Sequence, residues 1–201
     1  MEKIILALLV PALIALKAIA PSDPLAIGSV MPKADVSMQD ISGKSVTLAG
    51  AKKENGLLVM FSCNTCPVVI KNQDRTRAIA RFALDQNVGV ILLNPNEDYR
   101  DNGDSHADMV KFAQAQQYNW YYAVDKNHVL ADAFGAKRTP ECFLFDKNNK
   151  LVYHGAIDDN PQDEDNAKRQ HLKEAITEMN AGKPVNVAVT KSVGCGIKRK
   201  G

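Results

Sequence analysis

Two of the four cysteines in this chain of 201 residues, Cys63 and Cys66, are separated by only two residues. Residues 57–61 before them are all apolar, which is typical of a strand buried on both faces. The sequence after the pair turns amphipathic and helical, so we expect the pair where a strand ends and a helix begins. The N–H groups of the first helical turn and the positive end of the helix dipole are then expected to favour a thiolate on Cys63. Because the thiolate is the nucleophile in disulfide exchange, this predicts a redox pair in which Cys63 attacks and Cys66 resolves.

A Cys-x-x-Cys pair can also be half of a zinc site or a structural disulfide. Zinc would require two further ligands at similar spacing, and the sequence contains no second Cys-x-x-Cys and no His-x-x-x-His. The strand-to-helix setting favours redox chemistry over both alternatives, so we predict neither a metal nor a cofactor. The four histidines are expected at surface or strand-end positions, and none is assigned a catalytic role.

The N-terminal residues 1–22 are typical of an export signal, with a basic start, a short apolar run and small residues at Ala18 and Ala20. Pro11 and Lys17 interrupt the apolar run, which is short for a membrane-spanning helix. We therefore predict a signal peptide and a periplasmic or secreted protein, with an uncleaved membrane anchor as the alternative. In such an oxidising compartment a dithiol must be kept reduced actively or used as an oxidant.

Composition indicates one domain with a substantial core, because 45% of the residues are hydrophobic. The formal net charge of +2 favours neither a nucleic-acid partner nor an acidic one. A Pro- and Ala-rich linker is predicted at residues 23–34, the folded domain at 35–183, and a C-terminal tail at 184–201.

Within the domain, the hydrophobic patterns predict a hairpin, three strand–helix units, two antiparallel strands and a final helix. Strands are expected within residues 36–48 and at 57–61, 88–93, 118–124, 142–145 and 151–154. Helices are expected at 66–84, 105–116, 129–134 and 172–179. On the first helix, the apolar residues expected to point inward are Ile70, Ala78, Ile79 and Phe82. The charged residues expected on its solvent-exposed face are Lys71, Asp74, Arg75 and Arg77. The polar residues 94–103 are interpreted as a solvated loop rather than a calcium site.

Three features together resemble the thioredoxin-like superfamily over about residues 29–182. They are Cys63-Asn64-Thr65-Cys66 after a buried strand, Thr139-Pro140 before Phe143-Leu144-Phe145-Asp146, and the turn from Asp40 to Val46. Within the superfamily the chain looks most like the exported redoxin branch (TlpA or AhpC/TSA-like) with a Cys-Asn-x-Cys-Pro site. The resemblance implies an α/β fold with a central mixed sheet flanked by helices and an N-terminal β-hairpin extension. It also implies that Pro140 is cis and faces the two sulfurs, and that Thr139 offers backbone groups to a substrate strand.

The sequence departs from thioredoxins at two places near the pair. Ser62 stands where thioredoxins usually have Trp, and residues 57–61 contain no carboxylate to act as a buried proton shuttle. Glu141 is a weak substitute for that acid and is expected to be an ordinary surface residue.

The favoured function is a thiol–disulfide oxidoreductase acting on protein or small-molecule disulfides, with an upstream thiol reductant. One alternative is a peroxiredoxin-like peroxidase, whose reactive cysteine would align with Cys66. The chain lacks the Pro-x-x-x-Thr-x-x-Cys pattern, and Arg138 falls at the wrong offset for the usual arginine. A Sco-like copper carrier is less favoured, because those proteins have three residues between the cysteines and an additional histidine.

The other two cysteines, Cys142 and Cys195, leave several hypotheses open. Cys142 lies two residues after Pro140 at the start of a buried strand, and a small core residue is favoured there over a redox role. Cys195 lies between Gly194 and Gly196, which would let the tail bend back. It is expected either to pair with Cys142 as a structural disulfide or to reach Cys63 and Cys66 as a third redox thiol, with the tail near the active-site face.

Overall fold

The computed structural model describes residues 23–163 and 165–200, so the predicted export segment lies outside the described residues. The strands are β1 (Met38–Gln39), β2 (Ser45–Val46), β3 (Gly56–Phe61), β4 (Val88–Asn94), β5 (Tyr121–Val124), β6 (Arg138–Thr139), β7 (Glu141–Asp146), β8 (Leu151–Gly155) and β9 (Cys195–Gly196). The helices are α1 (Leu48–Ala51), α2 (Pro67–Lys71), α3 (Gln73–Asp85), α4 (His106–Ala115), α5 (Val129–Phe134) and α6 (His171–Asn180).

Five strands form a central mixed sheet in the spatial order β5, β4, β3, β7, β8. β7 runs antiparallel to both β3 and β8, and β4 runs parallel to β5. β4 lies beside β3, and at the end of β3 the Ser62 N–H donates to the Leu93 carbonyl at 2.8 Å. With the antiparallel pair of β1 and β2 at the N-terminal side, this is the thioredoxin-like architecture that the sequence predicts.

The apolar run of β3 supplies side chains to both faces of the sheet. Successive side chains of a strand point to opposite faces, and accordingly Leu57, Val59 and Phe61 join one core cluster while Leu58 and Met60 join the other. All of them are buried. Because core clusters cover both faces of β3, its sequence is continuously hydrophobic. The cysteine pair follows directly after the end of this strand.

The helix predicted over residues 66–84 is interrupted at Asn72, which ends α2 and begins α3. Ile70, in the short helix α2 before the interruption, is 51% exposed rather than inward. Ala78 is also exposed, because the buried stripe of α3 passes through other positions. Arg75 does not lie on the solvent-exposed face. It is buried, and its guanidinium forms an ion pair with the Asp158 carboxylate at 2.8 Å.

Both segments outside the predicted domain pack against it. In the predicted linker, the Leu25 N–H donates to the Phe134 carbonyl at 2.9 Å, and Met31 is buried in the core. In the predicted tail, Ile197 reaches the same core cluster. Among residues 23–163 and 165–200, no helix has both the length and the apolar character needed to cross a membrane.

Candidate functional site

The two sulfurs of the Cys-x-x-Cys pair meet the residue before the cis-proline. The Thr139–Pro140 peptide bond is cis, as the resemblance implies. Cys63 Sγ lies 3.2 Å from Thr139 Oγ1, and Cys66 Sγ lies 3.4 Å from the Thr139 carbonyl oxygen. Both cysteines are buried, with exposed fractions of 0% and 3%. The site is therefore a compact cluster of two thiols against one threonine, closed to solvent in this state.

Helix α2 begins within one residue of the predicted helix start, and it places Cys66 closer to the first helical turn than Cys63. Pro67 is the first helical residue and Cys66 is the N-cap, so the free N–H groups of the first turn lie near Cys66 rather than Cys63. The hydrogen bond from Cys63 and a backbone contact at Val69 lower the pKa of Cys66 to about 4, although burial opposes them. The same hydrogen bond, together with burial, raises the pKa of Cys63. This direction is opposite to the one expected for Cys63.

A buried carboxylate holds the two residues between the cysteines. Asp104 is fully buried, and its Oδ1 accepts the Asn64 backbone N–H at 2.7 Å while its Oδ2 accepts the Thr65 hydroxyl at 3.0 Å. The side-chain amides of Asn94 and Asn96 also donate to it, at 2.8 and 2.9 Å. The bonds to Asn64 and Thr65 would have to be broken to move the loop between the cysteines, and the bonds from Asn94 and Asn96 hold Asp104 itself in place.

The sequence patterns did not predict this polar cluster. Asn94 and Asn96 are buried, although the polar composition of residues 94–103 predicted a solvated loop. The place of Asn94 in the sequence could have indicated its burial. It directly continues the apolar run of β4, so its side chain enters the protein at the sheet edge. Arg100 reinforces the cluster by donating to the Asn94 carbonyl at 2.6 Å.

Glu141 is buried, contrary to the expectation of a surface acid. Its Oε1 lies 2.8 Å from His154 Nε2, and its Oε2 accepts the backbone N–H groups of Lys137 and Arg138 at 2.7 and 3.0 Å. The pair thus supports the backbone that leads into Thr139. His154 is a buried structural partner in this arrangement.

The C-terminal segment lies directly on the site. β9 runs antiparallel to β6, with Cys195 opposite Thr139 and Gly196 opposite Arg138. Cys195 is partly exposed and packs against the cluster of Cys63, Cys66 and Val69. The Arg138 side chain is exposed, and its guanidinium contacts the Gly194 carbonyl at 3.5 Å rather than either active-site sulfur.

Cys142 lies in different surroundings, fully buried between β3 and β8 in the core cluster that contains Met60, Leu144 and Tyr153. Each of the four cysteines is a free thiol in this structure. In the part of the chain that the structure describes, no group of three or more His, Cys, Asp or Glu side chains is arranged to hold a metal ion.

Comparison with known proteins gives a consistent result. The family model described as Redoxin matches residues 26–170. A hypothetical protein from Sinorhizobium meliloti 1021 is 30% identical, with a TM-score of 0.80, over 89% of this chain and 97% of that one. An uncharacterized conserved protein from Geobacillus kaustophilus is 28% identical, with a TM-score of 0.80, over 87% of this chain and 93% of that one.

A more distant structural neighbour is a putative thiol:disulfide interchange protein, DsbE, from Chlorobium tepidum. It is 18% identical with a TM-score of 0.57, and the match covers 79% of this chain and 97% of that one, so the likeness concerns the fold. No protein with a curated description matches the chain.

Proposed function

This chain belongs to the redoxin family, and from that premise we propose that it is a thiol–disulfide oxidoreductase that cycles Cys63 and Cys66 between dithiol and disulfide. One observation carries the proposal: both sulfurs contact Thr139, at 3.2 and 3.4 Å, beside the cis-proline. The backbone edge of Thr139 pairs with β9, an antiparallel strand from this chain's own C-terminal segment. An extended peptide that carries a disulfide would displace β9 and be presented to the two sulfurs by the same main-chain hydrogen bonds.

The reaction begins at Cys66, because its position at the start of α2 favours the thiolate there. The Cys66 thiolate attacks one sulfur of the substrate disulfide, forming a mixed disulfide and releasing the other substrate sulfur as a thiolate. Cys63 gives its proton to that leaving group and attacks Cys66. The second substrate sulfur leaves as a thiolate and takes a proton from solvent. The products are a Cys63–Cys66 disulfide and a substrate dithiol, and an external thiol reductant then restores the enzyme. This order reverses the roles expected from the sequence.

Trapping of the mixed disulfide tests the proposal. Both variants are made in a Cys195→Ser background, so that Cys195 cannot resolve the adduct. Reduced Cys63→Ser protein, mixed with a disulfide-containing protein, should accumulate a covalent adduct through Cys66 on a non-reducing gel. Cys66→Ser should accumulate at least about tenfold less, because its remaining active-site thiol, Cys63, is mostly protonated at neutral pH. Adduct formation by Cys66→Ser alone would restore Cys63 as the attacking residue. Absence of any adduct from either variant, with no disulfide reduction by the wild type, would contradict the oxidoreductase assignment.

A second candidate, a thiol peroxidase, is favoured by the same acidic cysteine at the helix start. Cys66 occupies the position that aligns with the reactive cysteine of peroxiredoxins, and its pKa is lowered to about 4. In that case hydrogen peroxide would oxidise Cys66 to a sulfenic acid, which Cys63 would resolve with loss of water. Peroxide consumption that survives Cys63→Ser, is lost in Cys66→Ser and outpaces disulfide reduction would place the peroxidase first.

We also propose that the protein works outside the cytoplasm, on protein or small-molecule disulfides. The basis is the sequence of residues 1–22, with its basic start and apolar run. N-terminal sequencing of the protein purified from fractionated cells would test this proposal. A mature protein that begins after Ala20 or after Ser22 is expected, and an intact Met1 in the cytosolic fraction would contradict it.

A further inference from the structure

The C-terminal residues 188–199, which we call the strap, are anchored at both ends. At one end the His154 N–H donates to the Ala188 carbonyl at 2.9 Å. At the other end the Ile197 N–H donates to the Lys137 carbonyl at 3.1 Å, and the Lys198 N–H donates to Asn96 Oδ1 at 2.9 Å. Ile197 is also buried in the core. The strap therefore holds Cys195 in a defined place.

Between its anchors the strap occupies the edge at which a substrate strand would bind. Cys195 stands opposite Thr139 in the antiparallel register. A Cβ atom added to Gly194 would lie 2.1 Å from the Thr139 carbonyl oxygen, whereas one added to Gly196 would meet nothing within 4 Å. The contact at Gly194 is thus closely fitted, and this position requires a residue without a side chain.

The register also directs the third sulfur to the other two. Side chains of directly opposed residues in an antiparallel pair lie on the same side of the ribbon, and the Thr139 hydroxyl already contacts Cys63. Accordingly, Cys195 packs against the cluster of Cys63 and Cys66. Since Cys63 and Cys66 are buried while Cys195 is partly exposed, Cys195 is the outermost sulfur of the cluster.

We propose that the strap is a tethered substrate and that Cys195 is a third redox thiol, which receives the active-site disulfide by internal exchange. After a catalytic cycle, the Cys195 sulfur attacks Cys66 in the Cys63–Cys66 disulfide. The Cys66–Cys195 bond forms, the Cys63–Cys66 bond breaks, and the proton of Cys195 passes to the leaving Cys63 sulfur. One disulfide is exchanged for another, so no external oxidant or reductant is consumed in this step.

The exchange moves the disulfide to where an external dithiol can reach it. A thiolate of that reductant attacks the exposed Cys195 sulfur, and Cys66 leaves as the thiolate that its position stabilises. The second thiol of the reductant then attacks the mixed disulfide, releasing Cys195 as a thiol and leaving the reductant oxidised. The proposal rests on the proposed function of Cys63 and Cys66, and it adds the route by which they are reduced.

Disulfide mapping with matched glycine variants tests the tethered strand. Wild type, Gly194→Ala and Gly196→Ala are equilibrated with the same glutathione redox buffer, blocked with alkylating reagent, and digested for mass spectrometry. The Cys66–Cys195 peptide should be abundant in wild type and Gly196→Ala, and at least about fivefold lower in Gly194→Ala, with Cys63–Cys66 replacing it. An equal yield in all three proteins, or no Cys66–Cys195 peptide in the wild type, would overturn the proposal.

Regeneration kinetics provide the second measurement. Oxidised Cys195→Ser should be reduced by a protein dithiol at least about tenfold more slowly than the wild type, whereas Cys142→Ala should match the wild type. Equal rates for Cys195→Ser and the wild type would overturn the relay. Stoichiometric reduction of a disulfide substrate by prereduced wild-type protein is recorded in parallel. Failure of that reaction would refute the proposed function, while the mapping result would still decide whether Cys195 exchanges with Cys66.

Discussion

Cys142 and Cys195 both lie next to the cis-proline loop, yet one is part of the core and the other is part of the site. Cys142 follows Pro140 by two residues, and β7 turns its side chain between β3 and β8. Cys195 comes from a segment more than fifty residues away, and its pairing with Thr139 brings it against the two active-site cysteines. Strand register, rather than closeness in sequence, decides which thiol can take part in exchange.

The electrostatic surroundings separate the two thiols further. Burial raises the pKa of Cys142, with further contributions from the negative charges of Glu141 and Asp158. Burial also raises the pKa of Cys195, as does its hydrogen bond with Cys66. The Cys142 thiol therefore stays protonated among apolar side chains, whereas the Cys195 thiol packs against neighbouring sulfurs.

Alkylation rates should show the largest difference between these two cysteines. In the native reduced protein, Cys142 is expected to react on the order of 1,000-fold more slowly than Cys195, because it becomes accessible only when the core opens. A time course with a small alkylating reagent, followed by peptide mass mapping, measures both rates in one sample. Similar rates would contradict the placement of Cys142 in the core.

Substitutions at Cys142 and Cys195 should also differ in their effect on the free energy of unfolding, although this difference is smaller than the one in alkylation rate. Cys142→Ser places a hydroxyl in an apolar, fully buried position and should lower the free energy of unfolding by about 1–3 kcal/mol. Cys195→Ser should change it by less than about 0.5 kcal/mol, as is usual for a partly exposed residue. Urea unfolding of both variants measures this difference. Cys142→Ala is the control, since it keeps the site apolar, and a loss equal to that of Cys142→Ser would mean that packing rather than polarity dominates.

The sequence was sufficient for the fold and for the location of the pair. The buried run at residues 57–61, the Cys-x-x-Cys spacing and Thr139-Pro140 are local patterns, and the structure brings them together as the resemblance implies. Three features could not be predicted, because they depend on contacts distant in sequence or on a helix boundary. These are the hydrogen bonds from Asn64 and Thr65 to Asp104, the register of the strap, and the start of α2 at Pro67. The last of these places Cys66, rather than Cys63, at the helix N-cap.

The smallest expected effect is the change in the pKa of Cys66 when the Cys195 thiol is removed. It is also the most direct test of the contact between the strap and the site. The hydrogen bond from Cys63 is the main cause that lowers the pKa of Cys66 to about 4, and the bond with Cys195 adds to it. Removing the Cys195 thiol should therefore raise the pKa of Cys66, because less hydrogen bonding stabilises the charged form.

The pH dependence follows from the sign of that change. Above its pKa Cys66 is a thiolate, so wild-type reactivity should persist as the pH falls and disappear only near pH 4. In Cys195→Ala the loss should occur at higher pH, with at most about tenfold less thiolate at pH 4 than in the wild type. Alkylation rate against pH, with Cys142→Ala as the matched control, measures the midpoints. Superimposable profiles for all three proteins would mean that Cys195 does not stabilise the Cys66 thiolate, and that its contact with the site has no bearing on reactivity.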